Sequence, residues 1–193
     1  MAIKDDLLEV TARLFAGYGW RGTTTRRIAE AAGVNEVTLF RHFRSKDLLV
    51  SEAVRTIARE VHQGHDLPAV PVDLRRELTE WALSQHSRLR KHGPMILACL
   101  AEFEEHPALA PVACEGALAN FAAASAYLGE ARRRGLIGAK GSIDGAVMML
   151  MNAVFMDAVT RDVIDSPRPV LESDAISDFV DLTLRALGAP EDG

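Results

Sequence analysis

Apolar residues recur at every third or fourth position along most of the chain, which is the period of an α-helix. The first apolar stripe runs from Leu7 to Tyr18, and Gly19 is expected to end that helix. Shorter stripes follow on either side of Gly33, and the long segments after Val72 carry no strand signal. The pattern therefore predicts an all-α fold of about nine helices.

Capping residues, prolines and glycines indicate where these helices start and stop. The segment from Gly64 to Val72 contains two prolines and one glycine, so we place a domain boundary there, between residues 1–63 and 64–193. The nine helices are expected at about Lys4–Tyr18, Thr24–Ala32, Asn35–Phe43, Ser45–Gln63, Asp73–Lys91, Pro94–Glu105, Pro107 or Pro111 to Arg134, Ser142–Ile164 and Ser173–Leu187.

Residues 24–43 form the most informative stretch, because they predict two short helices around a tight turn. Thr24 and Asn35 are suited to cap these helices, since each side-chain oxygen can accept from an unpaired backbone N–H in the first turn. Gly33 suits the left-handed residue at which the first helix ends. A helix, a glycine turn and a second helix with an exposed mixed face together predict a helix-turn-helix.

Positive charge is concentrated on the same stretch. Arg26 and Arg27 lie in the first helical turn, where the helix dipole disfavours cations, so a nearby anion explains them better. Within residues 21–46, six basic residues stand against two acidic ones, although the whole chain has a net charge of −5. Residues 1–60 carry a charge of +2 and residues 61–193 carry −7. This distribution predicts that the N-terminal part binds double-stranded DNA.

Three segments of this part match the pattern of a known family. They are Thr-Thr-Arg-Arg-Ile-Ala-Glu-Ala-Ala-Gly-Val at 24–34, Val-Thr-Leu-Phe-Arg-His-Phe at 37–43 and Ser-Lys-Asp-Leu-Leu at 45–49. Over about Leu7 to Ala53 the chain resembles the N-terminal domain of TetR-family (tetracycline-repressor-like) transcriptional regulators. Two positions depart from the family pattern, since Phe40 replaces the usual Tyr and Glu36 stands where Lys, Pro or Gln is commoner.

The resemblance implies an N-terminal helix-turn-helix DNA-binding domain and a larger C-terminal helical domain for ligand binding and dimerisation. The second helix of the motif would enter the major groove of a palindromic operator, and Arg26 would reach a guanine. Arg27 shares the first turn with Arg26 and is included in the predicted DNA contacts. The residues expected to face the groove are Glu36, Val37, Thr38, Arg41 and His42, and those expected to face the DNA backbone are Thr24, Phe40 and Lys46.

The position of Glu36 in the sequence has two interpretations. Its carboxylate either accepts from a cytosine amino group in the groove or complements the dipole of the helix that it begins.

The last two helices are expected to bind a second subunit. The run Gly145–Met156 is apolar on nearly every side, so every side must be covered, and the last helix carries a single apolar stripe. The resemblance implies a homodimer formed by these two helices, and the alternative is a core within one chain. The predicted interface residues are Val147, Val154, Ile176, Phe179, Val180, Thr183, Leu184 and Leu187.

Large, flexible apolar side chains in the C-terminal domain predict a pocket for a small, mostly hydrophobic effector. Asn152 is the lone amide of its apolar run, so it either binds a ligand group or bonds a neighbouring helix. The predicted pocket residues are Trp81, Met95, Phe103, Phe121, Met148, Asn152 and Phe155. The sequence is therefore interpreted as a dimeric repressor that the effector releases from DNA. The alternative is an effector-independent DNA-associated protein that acts structurally or through a protein partner.

Other chemistry has little support in the sequence. The histidines lack a strong zinc spacing, and no nucleophile elbow, phosphate loop or zinc-protease motif occurs, so we expect no enzyme, cofactor or metal. Cys99 and Cys114 lie in apolar helical patterns and are expected to be reduced and buried. No signal-peptide pattern opens the chain, and Gly145–Met156 is too short to span a bilayer. These features predict a cytoplasmic protein without a membrane partner.

Overall fold

The computed structural model describes residues 3–62, 66–162 and 171–190 of the chain. Across these residues the chain forms nine α-helices and no strand, which confirms the all-α prediction. The helices are α1 (Ile3–Gly22), α2 (Thr25–Ala31), α3 (Glu36–His42), α4 (Lys46–His62), α5 (Leu74–Lys91), α6 (Gly93–Glu102), α7 (Leu109–Arg133), α8 (Ile143–Thr160) and α9 (Glu172–Ala186).

One apolar core holds the two short helices α2 and α3 in the first compact unit, which consists of Met1–Val61 and His92–Gly116. Burying a large apolar side chain stabilises a fold by about 1.5–3 kcal/mol, so this core orders helices that are too short to be stable alone. Its buried members are Leu7, Val10, Leu14, Ile28, Ala29, Leu39, Phe43 and Leu49.

A second core in the same unit includes α6. Phe15 of α1 and Val50 of α4 belong to one buried cluster with Met95 and Cys99 of α6. Burial raises the pKa of the Cys99 thiol to about 12, so this thiol stays protonated at neutral pH. Both cysteines are free, but Cys114 is exposed rather than buried as predicted. The compact units therefore do not divide the chain at a single point, because α6 packs with the N-terminal helices.

The second compact unit consists of His62–Lys91 and Ala117–Gly193, and in it α5 packs against both α8 and α9. His86 of α5 is fully buried, and its Nε2 lies 2.7 Å from Oδ2 of Asp157 on α8. Its Nδ1 lies 3.1 Å from Oε1 of Glu172 on α9. The hydrogen bond to Asp157 offsets part of the cost of burying the polar ring, whereas Nδ1 is close to Glu172 without making a hydrogen bond within the described residues.

Three helix boundaries differ from the prediction for local reasons. Helix α1 leaves the helical conformation at Gly19, whose φ is +63°, as predicted, but a further turn after this kink extends the element to Gly22. Helix α7 begins at Leu109, so Pro111 lies within its first turn, where a missing N–H removes no helical hydrogen bond. Helix α8 ends at Thr160, while the predicted end at Ile164 and the proline break after it lie outside the described residues.

Helices α7 and α8 are long and apolar enough to cross a membrane, by length and composition alone. Helix α8 covers 18 residues and includes the apolar run Gly145–Met156. Core helices of proteins without membrane segments meet the same criterion, and about a third of the α8 window is buried inside the chain. The absence of a membrane partner stays a prediction.

The turn between α2 and α3 is predicted to require a glycine at position 33. Gly33 has a φ of +66°, and an added Cβ would meet no atom within 4 Å, so only the backbone conformation opposes a side chain. We therefore expect Gly33→Ala to lower the free energy of unfolding by about 1–2 kcal/mol. Urea unfolding measures the change.

The matched control is Gly17→Ala, because Gly17 is exposed, helical and equally unobstructed. This substitution should be neutral or should raise stability by up to about 1 kcal/mol. Equal stabilities for the two variants would contradict the requirement for a glycine at the turn.

Candidate DNA-binding surface, effector cavity and subunit face

The two short helices are capped as predicted. Oγ1 of Thr24 accepts from the backbone N–H of Arg27 at 3.2 Å, and Oδ1 of Asn35 accepts from that of Thr38 at 2.8 Å. Gly33 adopts the left-handed conformation that ends α2. These contacts confirm the helix-turn-helix.

Helix α3 presents one side to the core and the other to solvent. Leu39 and Phe43 are buried, whereas Val37 is 78% and Phe40 is 45% exposed. The exposed helical positions Glu36, Val37, Phe40 and Arg41 follow the spacing i, i+1, i+4 and i+5, so they share one side of α3. We call these four residues, together with the exposed Arg44 two residues after the helix ends, the outer face of α3.

Most of the ten predicted DNA-contacting residues are accessible. The structure places seven of them in exposed positions, namely Thr24, Arg26, Glu36, Val37, Phe40, Arg41 and His42. Arg27, Thr38 and Lys46 are half-buried. Arg44 is absent from the predicted set, although it is exposed and lies just after the end of α3.

Two of the half-buried residues contact aromatic rings of α1. The guanidinium of Arg27 lies over the Tyr18 ring at 3.6 Å from its centroid. Nζ of Lys46 donates to the backbone carbonyl of Trp20 and lies 4.8 Å from the centroid of that ring. Partial burial lowers the pKa of Lys46. Both cations therefore support the fold in addition to any contact with DNA.

Two of the predicted DNA-contacting residues, Arg26 and Glu36, already contact other side chains of the chain. Nε of Arg26 lies 2.8 Å from Oε1 of Glu30, one turn along α2. Oγ1 of Thr25 donates to Oε1 of Glu36 at 2.6 Å and so joins α2 to α3. This bond gives Glu36 a third role, beside the dipole and the base contact, that the sequence did not suggest.

An apolar cavity of about 110 Å³ lies in the second compact unit. Trp81, Asn152 and Phe155 line it, and all three belong to the predicted ligand set. The sequence did not identify the other lining residues, because helical periodicity shows which side of a helix is apolar but not which helix it faces. They are Gln85, Leu89, Ala117, Met151 and Val154.

The other four predicted ligand residues do not line this cavity. Met95 is buried in the first unit, and Phe103 packs against the same core. Met148 is exposed and Phe121 is half-buried, outside the cavity lining. Asn152 makes no side-chain hydrogen bond within the described part of the chain, so the predicted bond to a neighbouring helix is absent there.

Most of the predicted subunit face is buried within a single chain, and its contact with a second subunit stays a prediction. Seven of the eight predicted residues are buried within their own chain, and only Phe179 is half-buried. The seven are Val147, Val154, Ile176, Val180, Thr183, Leu184 and Leu187. The large apolar side chains that α8 and α9 expose most are Met149 and Leu182, at 75% and 62%. Both line a groove of about 120 Å³ together with Phe179 and Thr183.

Three potential metal ligands meet at the end of α6. The ligand atoms of Glu102, Glu105 and His106 lie within 4.8 Å of one another. The Trp20 backbone N–H donates to Oε1 of Glu102 at 2.9 Å, and the Trp20 ring stacks on His106 with centroids 3.8 Å apart. Arg21 pairs with Glu105 at 3.3 Å. These contacts connect the cluster to α1 and so account for its residues. We therefore assign no metal to it.

The N-terminal part of the chain matches known proteins in sequence. Residues 7–53 match the family described as bacterial regulatory proteins, tetR family. The HTH-type transcriptional repressor KstR2 of Mycolicibacterium smegmatis is 42% identical over 52 residues, which cover 27% of this chain and 25% of that protein. The chain thus spans about a quarter of the length of the curated relatives that it matches.

Solved structures share the fold over nearly the whole chain. A Mesorhizobium loti protein assigned to the TetR family of transcriptional regulators has a TM-score of 0.79 at 20% identity, over 97% of both chains. The flavonoid-responsive regulator FrrA has a TM-score of 0.70 at 21% identity, over 95% of this chain and 93% of its own. The N-terminal match and the shared fold agree: residues 7–53 match the tetR family of bacterial regulatory proteins, and nearly the whole chain has the fold of solved structures assigned to that family.

Proposed function

We propose that the chain is a homodimeric, cytoplasmic transcriptional repressor that binds a palindromic operator and leaves it when a small molecule binds the second unit. The main support is the outer face of α3, where arginines and apolar residues are exposed together. The match to the tetR family model, over residues 7–53, covers this region of the chain, and the repressor KstR2 is 42% identical over 52 residues. Such a protein acts by binding and needs no catalytic group.

The outer face of α3 has the chemistry to read base pairs. Arg41 can donate two hydrogen bonds to a guanine, and Val37 offers the apolar surface that contacts a thymine methyl group. Glu36 accepts from Thr25 through Oε1, so its other oxygen is suited to accept from a cytosine amino group. Arg44, at the end of this face, is suited to a backbone phosphate.

DNA binding competes with an ion pair that already exists in the free chain. Arg26, the predicted guanine contact, lies 2.8 Å from Glu30, and both side chains are largely exposed. Exposed pairs of this kind contribute little because solvent screens them, so a guanine or a phosphate can replace the carboxylate. Glu30 therefore weakens DNA binding, because it holds Arg26 and also repels phosphates.

A second copy of the chain is the proposed cover for the exposed side of α8 and α9. Met149 and Leu182 are large apolar side chains in contact with solvent, and the groove beside them includes Phe179. In a two-fold symmetric dimer the same patch meets itself, so the exposed side chains of one copy can fill the groove of the other. This arrangement would present two copies of α3 to one operator.

The cavity in the second unit is the proposed effector site. Trp81, Phe155 and Met151 provide apolar walls, and Gln85 and Asn152 provide amide groups. The structural neighbour FrrA is a flavonoid-responsive regulator, which supports a response to small molecules in this fold. An effector must bind the DNA-incompetent form more tightly, since equal affinity for both forms would shift nothing. The cavity favours this proposal over an effector-independent protein.

Glu30→Gln should strengthen binding to random-sequence duplex DNA by up to about fivefold, because it releases Arg26 and removes a negative charge. Fluorescence anisotropy at fixed salt concentration measures the Kd. Glu115→Gln is the control, since Glu115 is an exposed acid of the same unit and gives the same change in net charge. Equal gains for both variants would leave only a general charge effect, and weaker binding by Glu30→Gln would contradict the competition.

Selection from a random duplex pool tests the proposed function itself. The wild-type chain should select a two-fold symmetric sequence with half-sites about one helical turn apart. Met149→Asp should make the chain monomeric by sedimentation, because a buried unpaired charge is costly, and should abolish selection of the paired half-sites.

Leu118→Asp is the matched control, since Leu118 of α7 is 67% exposed and lies outside the groove between α8 and α9. This variant should remain dimeric and select the same sequence as wild type. If Met149→Asp remains dimeric, the interface lies at another surface. If the selected sequence is asymmetric, the chain does not read its operator as a symmetric dimer.

A further inference from the structure

Three hydrogen-bonded side chains connect the apolar cavity to the end of α4. Gln85 of α5 lines the cavity, and its Oε1 accepts from Nδ2 of Asn120, on α7, at 2.8 Å. The same Nδ2 lies 2.9 Å from Nδ1 of His62, the last residue of α4. All three residues belong to the second compact unit. One amide group therefore uses its two N–H bonds on two different helices.

The protonation state of His62 determines the direction of these bonds. Burial, with a smaller effect from the nearby Arg88 guanidinium, lowers the pKa of His62 to about 4. The imidazole is therefore neutral at pH 7, and its Nδ1 can accept. Asn120 is the donor at both ends, and Gln85 is the acceptor at the cavity.

The cavity defines the size of its ligand. Its volume of about 110 Å³ is well below the roughly 300 Å³ at which pockets for drug-sized molecules begin. It is close to the volume of an engineered apolar cavity, about 150 Å³, that binds benzene. Two aromatic side chains, Trp81 and Phe155, line it. A compound with a single ring matches this space.

The polar lining defines the chemistry of that ligand. The amide nitrogen of Gln85 donates to no residue within the described part of the chain. A ligand atom that satisfies it must be a hydrogen-bond acceptor, and the oxygen of a carbonyl group is the simplest one that leaves the rest of the molecule apolar.

We infer that the cavity binds a one-ring, mostly apolar compound whose carbonyl oxygen accepts from Nε2 of Gln85, and that Asn120 transmits this contact to His62. The inference rests on the proposed function, since it names the ligand class and the regulation of the same cavity. When Gln85 turns toward the ligand, Asn120 must follow or lose its acceptor, and leaving a partly buried amide without a hydrogen bond is unfavourable. Asn120 is a positioning residue, because it lies between the cavity and α4.

The consequence for DNA binding follows from the continuity of α4. This helix begins at Lys46, directly after the helix-turn-helix, and ends at His62. A ligand that changes the hydrogen bond at His62 therefore acts on the helix that follows the DNA-binding motif.

Acetophenone and α-methylstyrene test the ligand class, because they have nearly the same shape and differ in a carbonyl oxygen against a methylene group. NMR titration of the full chain should show about three- to tenfold tighter binding of acetophenone, the effect of one net hydrogen bond. Gln85→Glu keeps an acceptor for Asn120 but removes the N–H donor, so it should abolish this preference. Gln85→Met should do the same without adding a charge.

Asn152→Leu is the matched control, since it removes the other amide of the cavity and should keep the preference for acetophenone. Transmission from Gln85 through Asn120 to His62 is measured by the ¹⁵N resonance of His62 Nδ1. This resonance is assigned as the one that is missing from the spectrum of His62→Gln. Acetophenone should shift this resonance in the wild-type chain, and α-methylstyrene should not. In the Asn120→Leu variant, acetophenone should still bind more tightly than α-methylstyrene. It should not shift the Nδ1 resonance of His62.

The possible results distinguish a failure of this inference from a failure of the proposed effector site. Equal affinities for the two probes, or a preference that survives Gln85→Glu, would overturn the carbonyl contact and leave an apolar effector cavity as proposed. A His62 shift that persists in Asn120→Leu would overturn the transmission through Asn120 alone. Failure of both probes to bind would overturn the ligand class and remove the support for an effector at this cavity.

Discussion

The DNA-binding surface depends on the burial of the opposite side of α3. Leu39 and Phe43 belong to a core that Leu7 of α1 and Ile28 of α2 also enter. Helix α3 has seven residues, too few to be stable alone in water, so this burial rather than helix propensity determines its orientation. A rotation by one residue, about 100°, would turn Phe40 toward the core and expose an apolar residue in its place. The outer face therefore exists because the inner face is packed.

Sequence and structure agree where the determining interactions are local. The caps at Thr24 and Asn35 act within three residues, so the helix-turn-helix could be predicted from short-range rules. Met95 was expected in the ligand pocket but packs in the first unit, because an apolar helix side does not reveal which helix it meets. The hydrogen bond from Thr25 to Glu36 was also missed, since only the folded turn brings these side chains together.

Much of the positive charge near α3 already has a partner within the chain. Arg26 pairs with Glu30, Arg27 stacks on Tyr18, and Lys46 is held at a backbone carbonyl of α1. A count of basic residues therefore overstates the charge that is available to phosphates, while the arginines of the outer face lack these constraints. DNA binding therefore replaces contacts that these cations make within the chain by contacts with phosphates and bases.

The salt dependence of binding to random-sequence duplex DNA tests the central claim most directly. Each phosphate contact releases counterions and contributes about −0.9 to the slope of log K against log salt concentration. A dimer that places about three cations per subunit on phosphates should therefore give a slope of about −5. A slope near zero, or no binding at about 50 mM salt, would contradict the claim that this surface binds DNA.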